Sequence, residues 1–348
     1  MSLFPYERRL RKAALSALTA GVITIAGCGS HSLIKPGEVA YVAAPQVTLR
    51  DRVATVFNKT GTVENGEKVN ILDRTKNGRF VRIRSPHGEE GWVEQRYLAD
   101  QKVFDRFQLL QQGYVNAPIQ ARATARSDLN MHATPGRESE HLYLLKEGDK
   151  LDLLKRGTAE RAVKGAAKPA NDATPLPPPV MEDWWLVRNS QKHYGWVLSR
   201  MLDLDVPVDV AQYAEGQRII ADFVLNQVED NGKLVPQYLL LLNEAKDGSP
   251  VDFNQIRIFT WNKKMHRYET AYRERNLNGV LPSEAGQENF ASEGALPIFT
   301  IRVRSDSGNI SNRKYRLKGV IVKRVLAPGE EAPKPSRHKR TKNVRSKK

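Results

Sequence analysis

The sequence predicts a mainly β protein, in which two small closed barrels precede a third β-rich domain and both chain ends lie outside the folded units. Three observations support this prediction. Part of the chain repeats itself, and short runs of β-branched and aromatic residues alternate with Gly, Asn and Pro turn signals along much of the 348 residues. In addition, the excess of 55 Lys and Arg over 39 Asp and Glu is concentrated near the two ends.

The amino terminus has the order of a secretory signal. Four cations, Arg8, Arg9, Arg11 and Lys12, precede an apolar run that is shorter than the roughly 20 residues of a membrane-spanning helix. The run ends in Ile-Ala-Gly before Cys28, a string that looks like the lipobox of bacterial lipoproteins. The resemblance implies removal of residues 1–27 and lipidation of Cys28. The alternative is an ordinary signal peptide with an incidental cysteine near its end.

Cys28 is the only cysteine of the chain, which excludes an intrachain disulfide and any second thiol nucleophile. Gly29 stands where lipoproteins that stay in the inner membrane often have Asp. We therefore expect an exported lipoprotein, anchored in the membrane by its lipid, on the periplasmic face of the outer membrane.

The carboxy terminus, residues 327–348, is expected to be a disordered basic tail. Its last fifteen residues contain eight Lys and Arg, no acidic residue and almost nothing apolar. Such a tail either contacts anionic polymers and lipid head groups or only keeps the protein soluble. The export signal argues against nucleic acid as its partner.

Two parts of the chain match each other with one gap. The matching segments are 47–50 with 129–132, 64–72 with 146–154, 80–83 with 184–187, and 91–93 with 195–197. The gap predicts an exposed loop over residues 156–182 in the second repeat, because that stretch is rich in Gly, Ala and Pro. The repeats, at about 45–99 and 127–203, have the size of small barrels.

Both repeats contain a Gly-Glu/Asp-Lys turn, a strand with large aromatic residues, a Gly-Trp-Val string and a terminal Tyr-Leu or Met-Leu. This series resembles the bacterial SH3 (SH3b) domain, although Phe80 replaces the Trp expected in the first repeat. The resemblance implies modules that recognise peptidoglycan, its peptides or a protein of the cell envelope, or that act as spacers.

The resemblance also implies a groove lined by aromatic and polar side chains, whose flat rings can pack on sugar or peptide. The candidate groove residues are Arg50, Phe80, Trp92 and Tyr97 in the first repeat and His132, Trp184, Trp185 and Trp196 in the second. Alternatively, Trp92 and Trp196 fill the barrel cores. Trp184 and Trp185 are neighbours on one strand and point to opposite faces, so one of them is expected on the outside.

Residues 206–326 match neither repeat, and their alternating strands predict a β-sandwich-like or open-sheet domain. Residues 256–275 read as a hairpin that turns after Trp261, with an aromatic inner face and a basic outer face. This hairpin either contacts anionic glycan or lipid, or it is an ordinary core hairpin with a solvated charged side.

No enzyme motif is found. The seven histidines are scattered, and no His-Glu-x-x-His, Gly-x-Ser-x-Gly or phosphate-binding loop occurs. A paired-carboxylate glycosidase is not excluded by motif, because its two acids need not be close in sequence. We therefore expect no catalytic residue, no metal and no cofactor. The expected function is a non-catalytic lipid-anchored envelope protein whose modules recognise peptidoglycan or an envelope partner. A structural or assembly lipoprotein is the alternative, a cell-wall hydrolase is less favoured, and the oligomeric state stays open.

Overall fold

The computed structural model describes residues 37–161, 179–244, 247–326 and 329. The expected signal peptide, the lipidation of Cys28, the basic tail and most of the insertion lie outside these residues. Within them β-strands predominate, which confirms the mainly β fold. No helix in the described ranges is long and apolar enough to cross a membrane.

The first seven strands form barrel 1. They are β1 (Val39–Val42), β2 (Gln46–Arg50), β3 (Lys59–Glu64), β4 (Lys68–Arg74), β5 (Phe80–Arg84), β6 (Glu90–Glu94) and β7 (Leu98–Asp100). They hydrogen-bond in the order β3-β2-β6-β5-β4-β1-β7. Every strand contributes to one buried cluster that includes Val42, Leu49, Val63, Ile83 and Val93. Because alternate residues of each strand point into this cluster, the sheet curls around its own apolar face.

A helix that the sequence analysis did not predict, α1 (Gln101–Tyr114), joins the two barrels. The Asp100 carboxylate caps it by accepting a hydrogen bond from the backbone N–H of Val103 at 2.9 Å. Its aromatic residues pack in both directions. Phe104 stacks on Tyr41 of barrel 1 with 4.0 Å between ring centroids, and the buried Phe107 packs edge-on against Tyr143 of the second barrel.

Barrel 2 has the same topology as barrel 1. Its strands are β8 (Ala121–Ala125), β9 (Leu129–His132), β10 (His141–Leu145), β11 (Lys150–Glu160), β12 (Met181–Asn189), β13 (Tyr194–Leu198) and β14 (Leu202–Leu204). They pair in the order β10-β9-β13-β12-β11-β8-β14. Each strand of barrel 1 therefore has a counterpart seven strands later.

The insertion in barrel 2 begins later and ends earlier than the predicted loop over 156–182. Arg156–Glu160 continue β11 and pair with the start of β12, from Glu160 opposite Met181 to Arg156 opposite Trp185. The predicted loop was too long. Gly157 and Ala159 have low β-propensity and suggested a loop, but the segment that contains them pairs with β12. Both barrels also begin one strand earlier than expected, at β1 and β8.

A short helix, α2 (Val208–Ala211), leads into two antiparallel four-stranded sheets. The first contains β15 (Arg218–Asp230), β16 (Lys233–Asn243), β17 (Gln255–Asn262) and β18 (Arg267–Glu274), in this order. The second contains β19 (Gly279–Phe290), β20 (Gly294–Arg304), β21 (Ile310–Lys318) and β22 (Ile321–Val325). Buried residues of both sheets, including Leu239, Ile258, Phe299 and Tyr315, share one core cluster. The domain is therefore a sandwich.

The sandwich and barrel 2 are packed together, because the same core cluster continues through Trp185 and Val187 of β12. An ion-pair network centred on the buried Arg156 and Asp183 of barrel 2 crosses this junction. The Asp183 carboxylate accepts from Arg156 at 2.6 and 3.1 Å and from Arg218 of β15 at 2.7 Å. Arg156 also donates to Asp252, in the connection between β16 and β17, at 3.1 Å. These bonds fix the orientation of the sandwich on barrel 2.

The predicted hairpin over 256–275 is present as β17 and β18, but its outer side is not uniformly basic. Arg257 is fully buried and forms a two-point ion pair with Glu215 at 3.0 and 3.1 Å. Trp261 and Tyr268 are paired opposite each other, and Trp261 donates to Asp230 at 2.7 Å. These contacts correspond to the core-hairpin alternative.

Candidate functional site

The outer face of barrel 1 gathers three of the four candidate residues of the first repeat. In the strand register Arg50 lies opposite Trp92, and Phe80 lies opposite Glu94. Residues opposite each other, or two apart on one strand, point to the same side of a sheet, so these side chains share one face. Phe57 from the loop after β2 joins them. We call the surface formed by Arg50, Phe57, Phe80 and Trp92 the open face.

A cation lies over the aromatic rings of the open face. The guanidinium carbon of Arg50 is 4.3 Å from the centroid of Phe57 and 5.7 Å from that of Phe80. A carboxylate oxygen of Glu94 lies 3.9 Å from the Arg50 guanidinium. Arg50 is thus held by cation–π contacts and one long ion pair, and its side chain is 26% exposed.

The loop over residues 51–58 stands beside the open face and has an apolar tip. Val53 and Val56 are 42% and 83% exposed. The Asp51 carboxylate closes the base of the loop by accepting from the backbone N–H of Asn58 at 2.9 Å and from Arg52 at 2.7 Å. The hydrogen bond from Arg52, followed by that from Asn58, lowers the pKa of Asp51 to about 2. The loop base is therefore ordered while its valines are presented outward.

Tyr97, the fourth candidate of the first repeat, is not part of the open face. It lies on the single turn Gln95–Tyr97 and packs partly against the barrel core. Its hydroxyl accepts a hydrogen bond from Arg96 at 2.8 Å. Its position after β6, and not within a strand, explains this separation.

The close approach of a neighbouring strand explains why each Gly-Trp-Val string begins with glycine. A Cβ atom on Gly91 would lie 2.7 Å from the Cβ of Leu49, and one on Gly195 would lie 2.7 Å from the Cβ of Met131. Both distances are shorter than van der Waals contact allows, so glycine is required where β6 crosses β2 and where β13 crosses β9. This crossing places the following tryptophan on the outer face.

The equivalent face of barrel 2 is covered by its own chain. His132 pairs opposite Trp196, and its ring packs edge-on against Trp184 at 5.3 Å between centroids. Both tryptophans are buried, and Leu110 and Tyr114 of α1 pack against them. We call the surface formed by His132, Trp184 and Trp196 the covered face. Burial lowers the pKa of His132, which favours its neutral form.

The prediction that Trp184 or Trp185 lies on the outside is corrected by the structure. The two side chains do point to opposite faces of β12, but Trp184 lies under α1 and Trp185 belongs to the core shared with the sandwich. Barrel 2 is packed on both sides, so neither ring is free to meet a polymer at the surface. Trp196 corresponds to the alternative in which it fills space inside the fold.

Sequence reasoning missed Phe57, the valines of the loop and helix α1. A signal for α1 was present, since Val103, Phe104, Phe107 and Leu110 recur at helical spacing after the capping residue Asp100. For the loop, the signal was an apolar pair between Asp51 and Asn58, two residue types that favour turns. Among the described residues, no group of three or more His, Cys, Asp or Glu side chains is placed to hold a metal ion.

Comparisons with protein-family models find two matches in this chain. The family model described as "Bacterial SH3 domain" matches residues 46–99, and the model described as "GW (Gly-Tryp) dipeptide domain" matches residues 133–203. Barrel 1 is thus similar to bacterial SH3 domains, as its motifs predicted. Barrel 2 is similar to GW domains, and the SH3b resemblance of the second repeat stays a prediction. A search of curated proteins finds no match.

Solved structures of NlpC/P60 proteins show a distant similarity. A family member from Bacillus cereus ATCC 10987 is 12% identical, with 55% of this chain and 65% of that chain covered and a TM-score of 0.22. An NlpC/P60 endopeptidase from Photobacterium damselae subsp. piscicida is 8% identical, with 83% and 66% covered and a TM-score of 0.22. NlpC2 from Trichomonas vaginalis is 8% identical, with 69% and 97% covered and a TM-score of 0.17. The chain thus spans 65% of the length of the first of these proteins, and TM-scores this low define neither its fold nor an activity.

Proposed function

We propose that this chain is a non-catalytic, lipid-anchored protein of the cell envelope that binds peptidoglycan through the open face of barrel 1. Bacterial SH3 and GW domains are both modules that bind the cell wall, and together their models match residues 46–99 and 133–203. The observation that carries the proposal is the difference between two equivalent surfaces. The aromatic face of barrel 1 is open, whereas α1 covers that of barrel 2.

The chemistry of the open face suits a polymer of sugars and short peptides. The rings of Phe57, Phe80 and Trp92 offer flat apolar surface at low cost in side-chain entropy. Arg50 adds a cation with N–H groups that can donate to a peptide carboxylate or a carbonyl. Since the Glu94 contact of Arg50 is long, a ligand carboxylate has little to displace.

The lipid anchor is a separate part of the proposal and rests on Cys28 and the signal before it. Multiple acyl chains hold a protein firmly at a membrane, whereas a single chain binds marginally. We propose the periplasmic face of the outer membrane as its location. Detergent phase separation of the full chain and of Cys28→Ala tests the anchor, because only the lipidated protein should enter the detergent phase.

Peptidoglycan binding is tested by co-sedimentation with purified wall at physiological salt. The proteins compared are the chain from residue 29 and the same chain ending at Leu326, since the basic tail alone can cause pelleting by charge. Arg50→Ala, combined with Phe80→Ala, is expected to reduce pelleting of the shortened chain by about tenfold. Arg122→Ala is the matched control, because Arg122 is an exposed arginine on barrel 2 whose ion pair with Asp152 is also long, at 3.8 Å.

The alternative function, an assembly protein that binds another envelope protein, is favoured by one observation. The exposed Val53 and Val56 form an apolar tip that a protein surface can bury. If neither form of the chain pellets with the wall, peptidoglycan binding is rejected and this loop becomes the place to crosslink a protein partner.

A further inference from the structure

A cleft of about 480 Å³ lies between barrel 2 and the first strand of the sandwich, far along the chain from the open face. Its base combines apolar side chains with the buried ion pair of Arg156 and Asp183, and its rim is charged. The apolar lining residues include Leu204 and Ala211, which are partly exposed, and the buried Leu153, Trp185, Leu202 and Ile220. A volume of this size is typical of small-ligand sites.

The rim carries arginines that differ in how strongly they are already paired. Arg126 lies 2.5 Å from Asp203, and Arg218 lies 2.7 Å from Asp183. Arg200 is different, because its ion pair is with Glu182 at 3.5 Å and its side chain is half exposed. Glu182 is already bound at two points by Arg137, at 2.8 and 2.7 Å. Arg200 is therefore the rim cation that is most available to an incoming anion.

The cleft continues into a second depression that also includes acidic groups. Arg200, Arg218 and Asp247 border both spaces, and Glu182 and Glu244 line the second one. A ligand with a carboxylate at one end and an ammonium group at the other would find a complementary charge at each position. Between these two charged groups, the partly exposed Leu204 and Ala211 can contact small apolar side chains.

We infer that this cleft is a second binding site, which takes the carboxylate end of a short peptide with small apolar side chains. The carboxylate accepts from Arg200, the small side chains contact the partly exposed Leu204 and Ala211, and the amino end leaves through the adjoining depression. The site goes beyond the proposed wall binding, because it uses no residue of barrel 1.

The test is calorimetric titration of the chain from residue 29 with tri-alanine and with tri-alanine amide, which lacks the carboxylate. We expect tri-alanine to bind and its amide to bind at least tenfold more weakly. Arg200→Ala should weaken tri-alanine binding by about tenfold or more, since a charge-assisted hydrogen bond is lost. Arg106→Ala is the control, because Arg106 is 52% exposed against 50% for Arg200 and also pairs with one glutamate.

A second variant tests the location without changing charge. Ala211→Phe adds a ring at the wall of the cleft and is expected to abolish tri-alanine binding. The inference is overturned if tri-alanine does not bind, if the amide binds equally well, or if Arg200→Ala and Arg106→Ala behave alike. The Arg50→Ala, Phe80→Ala chain should keep its tri-alanine affinity. Failure of wall binding and failure of the cleft are therefore separate results.

Discussion

The buried carboxylate of Asp183 is predicted to be the strongest single link between barrel 2 and the sandwich. Its side chain is 2% exposed and accepts two bonds from Arg156, one from Arg218 and one from the backbone N–H of Gly248 at 2.9 Å. Asp183→Ala removes all four bonds and leaves Arg156 buried. Breaking such a pair from one side costs about 3–5 kcal/mol. Because Asp252 still binds Arg156, we expect a loss near 3 kcal/mol in the free energy of unfolding.

The assay is urea unfolding followed by tryptophan fluorescence, since Trp184 and Trp185 directly follow Asp183 on β12. Asp203→Ala is the matched control. Asp203 pairs with Arg126 at 2.5 Å, but their side chains are 60% and 54% exposed, and exposed ion pairs contribute only about 0–1 kcal/mol. The reasoning is refuted if Asp183→Ala costs less than 1 kcal/mol, or no more than Asp203→Ala does.

Three further predictions concern α1, the barrel 2 junction and the loop of barrel 1. Phe107→Ala should cost about 3–5 kcal/mol in unfolding free energy because Phe107 is buried between the barrels, whereas the exposed Leu109→Ala should cost under about 0.5 kcal/mol in the same urea assay. Burial raises the pKa of Asp222 from 3.8 to about 6, so its ionisation destabilises the folded state. Stability should therefore fall as pH rises from about 4 to 6, by about 2–3 kcal/mol, and a flat difference between Asp222→Asn and the parent chain over that range would contradict this. Since the pKa of Asp51 is lowered to about 2, its bond to the Asn58 N–H should persist as pH falls and be lost only near pH 2. Hydrogen exchange of the Asn58 amide checks this, with Asp51→Ala as the unprotected reference.

Several features of the fold followed from local signals in the sequence. Strands in both barrels carry alternating apolar residues, and the Gly-Trp-Val strings at Gly91 and Gly195 mark the strand crossings that require glycine. The repeat and its motifs predicted a mainly β fold and an SH3-like first repeat over about 45–99. The β fold is confirmed, and the bacterial SH3 model matches residues 46–99. The SH3b resemblance implied that Arg50, Phe80 and Trp92 line one groove, and the strand register of the structure places their side chains on one face.

The sequence by itself thus predicted the mainly β fold, the SH3-like first repeat and the opposite orientation of Trp184 and Trp185. Only the tertiary structure decided which faces of the barrels are open. Trp184 is covered by α1, which precedes it by about seventy residues, and Trp185 is covered by the sandwich, which follows it. The alternation of a strand shows that neighbouring side chains point to opposite faces. It holds no information about what packs on each face, because that depends on elements that are distant in the chain.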